Sequence, residues 1–79
     1  MDREYIEQKV IEIIREIMNE DLDISMDSNF VEDLDILSIE VFSMISEVED
    51  EFDIKIPEKV ATKFTVVGDL VDYISDNIG

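Results

Sequence analysis

An all-α fold of three main helices and one short helix, with a long loop between the first and second, is predicted by three observations. Apolar residues recur at helical spacing in three separate stretches. Only two Gly and one Pro interrupt the 79 residues. No alternating pattern of the kind that marks a hairpin is present. At this length one domain, spanning residues 1–79, is expected.

The first stretch places Ile6, Val10, Ile13, Ile14 and Ile17 at i, i+4, i+7, i+8 and i+11, with Tyr5 alongside. Glu7, Lys9, Glu12, Arg15 and Glu16 take the other face. Asp2 is the expected N-cap, and the helix is expected to end near Met18 or Asn19. Residues 20–37 have no clean period. Leu22, Ile24, Met26, Phe30 and Leu34 are scattered through them, so this connection is expected to pack down on the helices. So long a connection is uncommon unless it is functional.

A second helix is predicted from about Ser38 to Phe52, with Val41, Met44, Ile45, Val48 and Phe52 forming its core stripe. Ile39 and Phe42 fall outside that stripe, beside Ser43 and Ser46. Glu40, Glu47, Glu49 and Asp50 surround them. The helix thus carries a small apolar spot ringed by acids, which reads as a docking face. Asp53 to Pro57 reads as an extended loop. Pro57 suits the start of a short helical turn through Glu58, Lys59, Val60 and Ala61. A last helix is expected after Thr65 as N-cap, with Val67, Leu70, Val71 and Ile74 inward and Tyr73 near that face.

Charge narrows the function. Twenty-two Asp and Glu oppose six Lys and Arg, for a net charge of −16 without any histidine. Nucleic acid and anionic membrane surfaces would be repelled. Basic protein surfaces are the natural partners, reached through electrostatic steering. The same charge favours a monomer. With 46% hydrophobic residues, the chain is too apolar for an acidic disordered tail. The absence of Cys excludes disulfides, a thiolate nucleophile and a Cys-based zinc site. The absence of His removes the usual general base and metal ligand. No nucleophile–base pair can then be assembled except through Lys or carboxylate chemistry, and a solvated acidic surface is the expected role of the many carboxylates. Met1-Asp2-Arg3-Glu4 has acids where a signal peptide needs bases, and no apolar run reaches membrane-span length. A cytoplasmic location is expected.

Two local patterns point to chemistry. Asp21 to Glu32 places oxygen-bearing side chains at positions 1, 3, 5, 9 and 12 of a calcium-loop pattern. Met26 stands where that loop needs Gly, however, and Ser28 where it usually has an aliphatic residue. A calcium-responsive acidic helical protein is the alternative reading this loop supports. The second pattern is Ser38 at the start of the second helix, with Asp33, Asp35 and Glu40 nearby. An ordinary N-cap serine accounts for the helix but not for the apolar spot beside it.

Phe30-Val31-Glu32-Asp33-Leu34-Asp35-Ile36-Leu37-Ser38-Ile39-Glu40 resembles the signature of the acyl carrier protein family, which runs roughly Phe-x-Glu-Asp-Leu-Gly-x-Asp-Ser-Leu-Asp/Glu. Glu47 to Pro57 resembles its Leu-Glu-Glu-Glu-Phe-x-x-x-Ile-Pro stretch, and Phe64 to Ile74 its Thr-Val…Tyr-Ile segment. The resemblance covers nearly the whole chain. It implies a four-helix carrier bundle in which Ser38 receives 4′-phosphopantetheine from coenzyme A through a phosphopantetheinyl transferase. The arm's thiol then holds acyl groups as thioesters for separate acyl-loading and acyl-processing enzymes. It also implies that the second helix is the recognition helix, with Ile39, Glu40, Phe42, Glu47, Glu49 and Asp50 meeting basic surfaces. An unmodified acidic adaptor on the same fold is a further alternative.

The signature is atypical at its centre. Leu37-Ser38-Ile39 replaces Asp-Ser-Leu, and Asp35 replaces Gly. Without the usual Asp, either Asp35 caps the helix and puts Ser38 at N3, or Ser38 caps it. Phe64 and Leu70 stand where the family often has smaller aliphatic residues, so the interior is expected to shelter long acyl chains poorly.

Overall fold

In the computed structural model residues 2–78 are described. Four helices run α1 (Arg3–Met18), α2 (Ser38–Phe52), α3 (Glu58–Ala61) and α4 (Val67–Asn77). Helices α1 and α2, and α1 and α4, pack against each other. One core cluster draws on all four helices and on the long α1–α2 loop.

Helix α1 begins where its sequence says it should. The Asp2 carboxylate accepts from the Glu4 N–H at 3.4 Å, and Asn19 closes the helix in the left-handed conformation at φ 53°. Ile6, Val10, Ile13 and Ile14 are buried. Ile17 is only partly buried, and Tyr5 is 44% exposed, outside the core. The Lys9 ammonium instead lies 5.7 Å from the Tyr5 ring centroid. Arg3 ties the start of α1 to α4, with Nη1 2.7 Å from Asp72 Oδ1 and Nε 3.1 Å from Glu7 Oε2.

The α1–α2 loop is folded onto the bundle. Ile24, Phe30, Leu34 and Ile36 are buried, while Leu22 and Met26 pack partly against the core. The loop backbone is satisfied locally and by α4. The Asn29 Oδ1 accepts from the N–H groups of Val31 and Glu32, both at 2.9 Å. The Phe30 N–H donates to the Thr65 carbonyl at 3.1 Å, within an isolated antiparallel bridge between Asn29 and Val66. The N–H groups of Val67 and Gly68, which have no partner within α4, donate to the Ser28 and Met26 carbonyls at 3.0 and 2.8 Å.

Thr65 is not the cap expected for α4. Val66 occupies the N-cap and has no side-chain acceptor. Asp69 supplies the missing acceptor from inside the first turn: its Oδ2 takes the N–H groups of Thr65 and Val66 at 2.9 and 3.2 Å. Together with the loop carbonyls this replaces an N-cap side chain. Val67, Leu70, Val71 and Ile74 are fully buried, as their spacing predicts.

Gly68 makes the loop's approach possible. A Cβ there would lie 3.1 Å from the Met26 carbonyl oxygen. Replacing an exposed helical Gly with Ala ordinarily gains about 1 kcal/mol. Gly68→Ala is expected to show little of that gain, and Gly68→Val to destabilise the fold by about 1–3 kcal/mol through overpacking. Urea unfolding of the three proteins checks both; a full Ala gain would show that the loop yields freely.

Candidate functional site

Ser38 is the first residue of α2, and Leu37, not Ser38 or Asp35, occupies the N-cap. A leucine offers no acceptor, so the helix start is held from within. Glu40 Oε1 accepts from the Leu37 N–H at 2.9 Å, making one half of a capping box. Asp35 instead sits in the left-handed conformation at φ 53°. That backbone favours Gly, which the family pattern has at this place, and Asp is among the side chains that tolerate it. Ser38 is therefore neither a cap nor at N3. Its hydroxyl is exposed, and no hydrogen bond engages it among the described residues.

This placement suits a phosphodiester. The N–H groups of the first turn of a helix lack intrahelical partners and point outward, and the helix dipole favours negative charge there. A group attached at Ser38 Oγ would lie beside these N–H groups and away from the core. The nearby carboxylates oppose it, but Glu40 is already committed to the Leu37 N–H.

The surroundings of Ser38 are apolar. Leu37 is 62% exposed, Ile39 74%, Val31 68% and Phe42 44%. Val31 has no place in the sequence reading of the site. The available signal was an apolar residue standing next to Phe30 in an otherwise acidic loop. Beneath these side chains a half-open cavity of about 270 Å³ is lined by Phe30, Val41, Phe42, Met44, Ala61 and Phe64, with Val31, Ser38 and Thr62 completing it. Val41, expected in the core stripe, is only partly buried because it faces this cavity. Phe64 is a lining residue, as its position suggested. Leu70 is not; it is fully buried in the shared core.

The six α2 residues expected to meet partners divide into two groups. Ile39, Phe42, Glu47 and Asp50 are exposed and make no side-chain hydrogen bond among the described residues. Glu40 and Glu49 are half-buried and hold local structure. Glu49 Oε2 accepts from the Ile56 N–H at 2.7 Å, which anchors the α2–α3 connection. The carboxylates of Asp21 to Glu32 do not come together: among the described residues no group of three or more potential ligands is placed to hold a metal ion. The loop's geometry serves the fold, with Ser25 and Ser28 bonded to each other and Ser28 and Met26 carbonyls spent on α4.

Comparison with known proteins agrees with this geometry. Residues 8–74 match the family described as the phosphopantetheine attachment site. An acyl carrier protein of Borrelia garinii subsp. bavariensis is 41% identical over 80 residues, covering 100% of both chains. One from Rickettsia canadensis is 42% identical over 72 residues, covering 90% of this chain and 84% of its own. The chain belongs to the acyl carrier protein family. A solved structure described as a candidate acyl carrier protein from Mycobacterium tuberculosis superimposes with a TM-score of 0.86 at 32% identity, covering 90% of this chain and 96% of that one.

Family membership brings the cofactor, 4′-phosphopantetheine, and a carrier role in place of catalysis. Acyl carrier proteins work with a transferase and with acyl-processing enzymes. No helix among the described residues is long and apolar enough to cross a membrane.

Proposed function

We propose that Ser38 Oγ is the single attachment point for 4′-phosphopantetheine, and that this domain of residues 1–79 presents acyl or aminoacyl groups to separate enzymes. The observation that carries this reading is an exposed, unbonded hydroxyl on the first residue of α2, at the open side of an apolar cavity. Attached there, the arm supplies the thiol on which cargo is held as a thioester. Fatty acid synthesis is the commonest setting for such a carrier. The Leu37-Ser38-Ile39 centre and Asp35 alter the loop that a transferase meets, which makes a specialised polyketide, lipid or aminoacyl pathway the other setting. The net charge of −16 supports a monomer that avoids nucleic acid and anionic membranes, and we place it in the cytoplasm on its acidic first residues and the lack of a helix able to cross a membrane among the described residues.

The test is to incubate the protein with coenzyme A and broad-specificity phosphopantetheinyl transferases, then to weigh it and map the modified peptide. A gain of one phosphopantetheine on the peptide containing Ser38 supports the reading. No gain with any of several transferases would favour an unmodified adaptor.

Partner enzymes would meet the outer face of α2. Ile39 and Phe42 offer an apolar contact near Ser38, and Glu47 and Asp50 offer charge further along. Contacts of this kind gain speed and selectivity from charge without large buried area. Charge reversal by Glu47→Lys or Asp50→Lys is expected to slow association with a cognate enzyme several-fold at low salt, with the difference shrinking as salt screens it. Rapid-mixing kinetics over a salt series checks this. Unchanged association in both variants would remove α2 as the docking face. Glu49 is a poorer choice, because its loss also frees Ile56.

A further inference from the structure

Two of the six cations stand apart from the rest. Arg3, Lys9 and Arg15 each lie within ion-pair distance of a carboxylate, and Lys55 borders a shallow depression with Glu49, Asp50 and Asp53. Lys59 and Lys63 are exposed. In a chain with 22 Asp and Glu they form no ion pair among the described residues.

Backbone bonding puts these two on one face. The winding of α3 runs on past Ala61. The N–H groups of Ala61 and Thr62 donate to the Pro57 and Glu58 carbonyls, both at 3.0 Å, and those of Lys63 and Phe64 to the Val60 and Ala61 carbonyls at 3.0 and 3.3 Å. Residues three and four apart in such a winding are neighbours. Lys59, Thr62 and Lys63 therefore share its outward face, while Ala61 is buried and Val60 and Phe64 are half-buried. The Thr62 hydroxyl donates to the Lys59 carbonyl at 3.0 Å and holds the turn closed. Thr62 lines the same cavity as Ser38, so the two lysines flank a residue on the rim of that opening.

The rim is divided by charge. Helix α2 carries Glu40, Glu47, Glu49, Asp50 and Glu51 and no Lys or Arg. The turn from Pro57 to Phe64 carries Lys59 and Lys63 against Glu58 alone. An enzyme that acts at the end of a long tethered arm can stay clear of the rim. The transferase cannot, because the atom it modifies is Ser38 Oγ itself. A specific protein contact covers about 800 Å² on each partner, a patch roughly 16 Å in radius. The domain measures only 30 × 25 × 19 Å, so a contact centred on Ser38 takes in both lysines.

We propose that Lys59 and Lys63 select the transferase: the enzyme that fits presents Asp or Glu side chains to this part of the rim, next to the basic surface that meets α2, and an enzyme whose carrier-facing surface is basic throughout is held off. This rests on Ser38 being the attachment point and on α2 being the docking face. An acidic α2 by itself draws any basic surface. Two cations on the rim add repulsion of the wrong enzyme to attraction of the right one.

The experiment uses the whole unmodified chain, coenzyme A and a panel of phosphopantetheinyl transferases of solved structure. They are sorted beforehand by whether the surface around the active site is basic throughout or includes an acidic patch. Modification is followed by mass, and kcat/KM is measured over a salt series. With the basic-faced enzymes the double variant Lys59→Glu, Lys63→Glu should be modified several-fold faster than wild type at low salt. With the acid-patched enzymes it should be modified several-fold slower. Both differences should shrink as salt screens them. Lys59→Gln and Lys63→Gln should move each rate in the same direction by less, and they carry the test if circular dichroism shows the double variant unfolded. Lys9→Gln removes one charge from α1 and should move neither rate. A change of the same sign with both classes of enzyme, an effect of Lys9→Gln equal to that of Lys59→Gln, or rates unmoved by loss of the lysines would overturn the proposal. Each of these leaves the attachment reading intact, since the wild type is still modified. If wild type and variants alike stay unmodified with every enzyme, the attachment reading falls and this one with it.

Discussion

Ser38→Ala is expected to stay at its unmodified mass under conditions in which the wild-type chain gains one phosphopantetheine, and to unfold within about 0.5 kcal/mol of wild type. The first half follows from position. Ser43 and Ser46 are also exposed on α2, but they lie inside the helix, where backbone N–H groups are spent on the preceding turn. Only Ser38 stands at the helix start, where unpaired N–H groups and the dipole favour a phosphodiester. The second half follows from its bonding. The hydroxyl does no capping, because the Leu37 N–H is served by Glu40, so removing it orphans nothing. Mass spectrometry and a urea melt decide the matter together. Modification persisting in the variant would move the site elsewhere. A collapse in stability would make Ser38 a structural residue.

Leu70→Ala is expected to be the most damaging of the single changes discussed, at about 2–5 kcal/mol. Leu70 is fully buried and sits on α4 between the loop-bound start of that helix and its junction with α1. A domain of this size is stabilised by only about 5–10 kcal/mol in total, so the unfolding midpoint should fall by at least ~10 °C. The comparison with Phe64 is informative. The sequence treats both as bulky residues in the interior that shelters cargo, but only Phe64 lines the cavity. Leu70→Ala should therefore lower the midpoint of every acylated form alike, leaving the dependence on chain length in place, whereas Phe64→Ala should change that dependence. If Leu70→Ala changes the dependence on chain length, the core and the cavity are one compartment.

Much of the bundle was legible because local rules were enough. Helix periodicity placed Ile6, Val10, Met44, Val48, Val67 and Ile74 in the core. Asp2 and Pro57 marked helix starts through short-range hydrogen bonding and a fixed φ. The apolar spot of Ile39 and Phe42 was legible for the same reason, since a wheel that buries Val48 cannot also bury Ile39. Tyr5 was misplaced because a residue at the margin of a helical stripe is buried only if another element reaches it, and Lys9 covers it instead.

The caps show where local rules stop. Leu37 and Val66 are N-caps that no side-chain preference would select, and each works because an acid in the first turn, Glu40 or Asp69, accepts the N–H groups instead. For α4 the remaining donors are met by carbonyls some forty residues earlier in the chain, from Met26 and Ser28.

By itself, the sequence determined the helices, their inward faces, the absence of a native thiol, and one serine at a helix start amid acids. These depend on spacing and on the chemistry of single residues, which the chain carries locally. Only the tertiary structure decided that Glu40 and Glu49 hold local structure while Glu47 and Asp50 stand free. It alone separated Phe64 from Leu70, and it alone brought Val31, Val41 and Thr62 to one cavity with Ser38. Those outcomes depend on which distant surfaces meet, and so on the packing of the whole core.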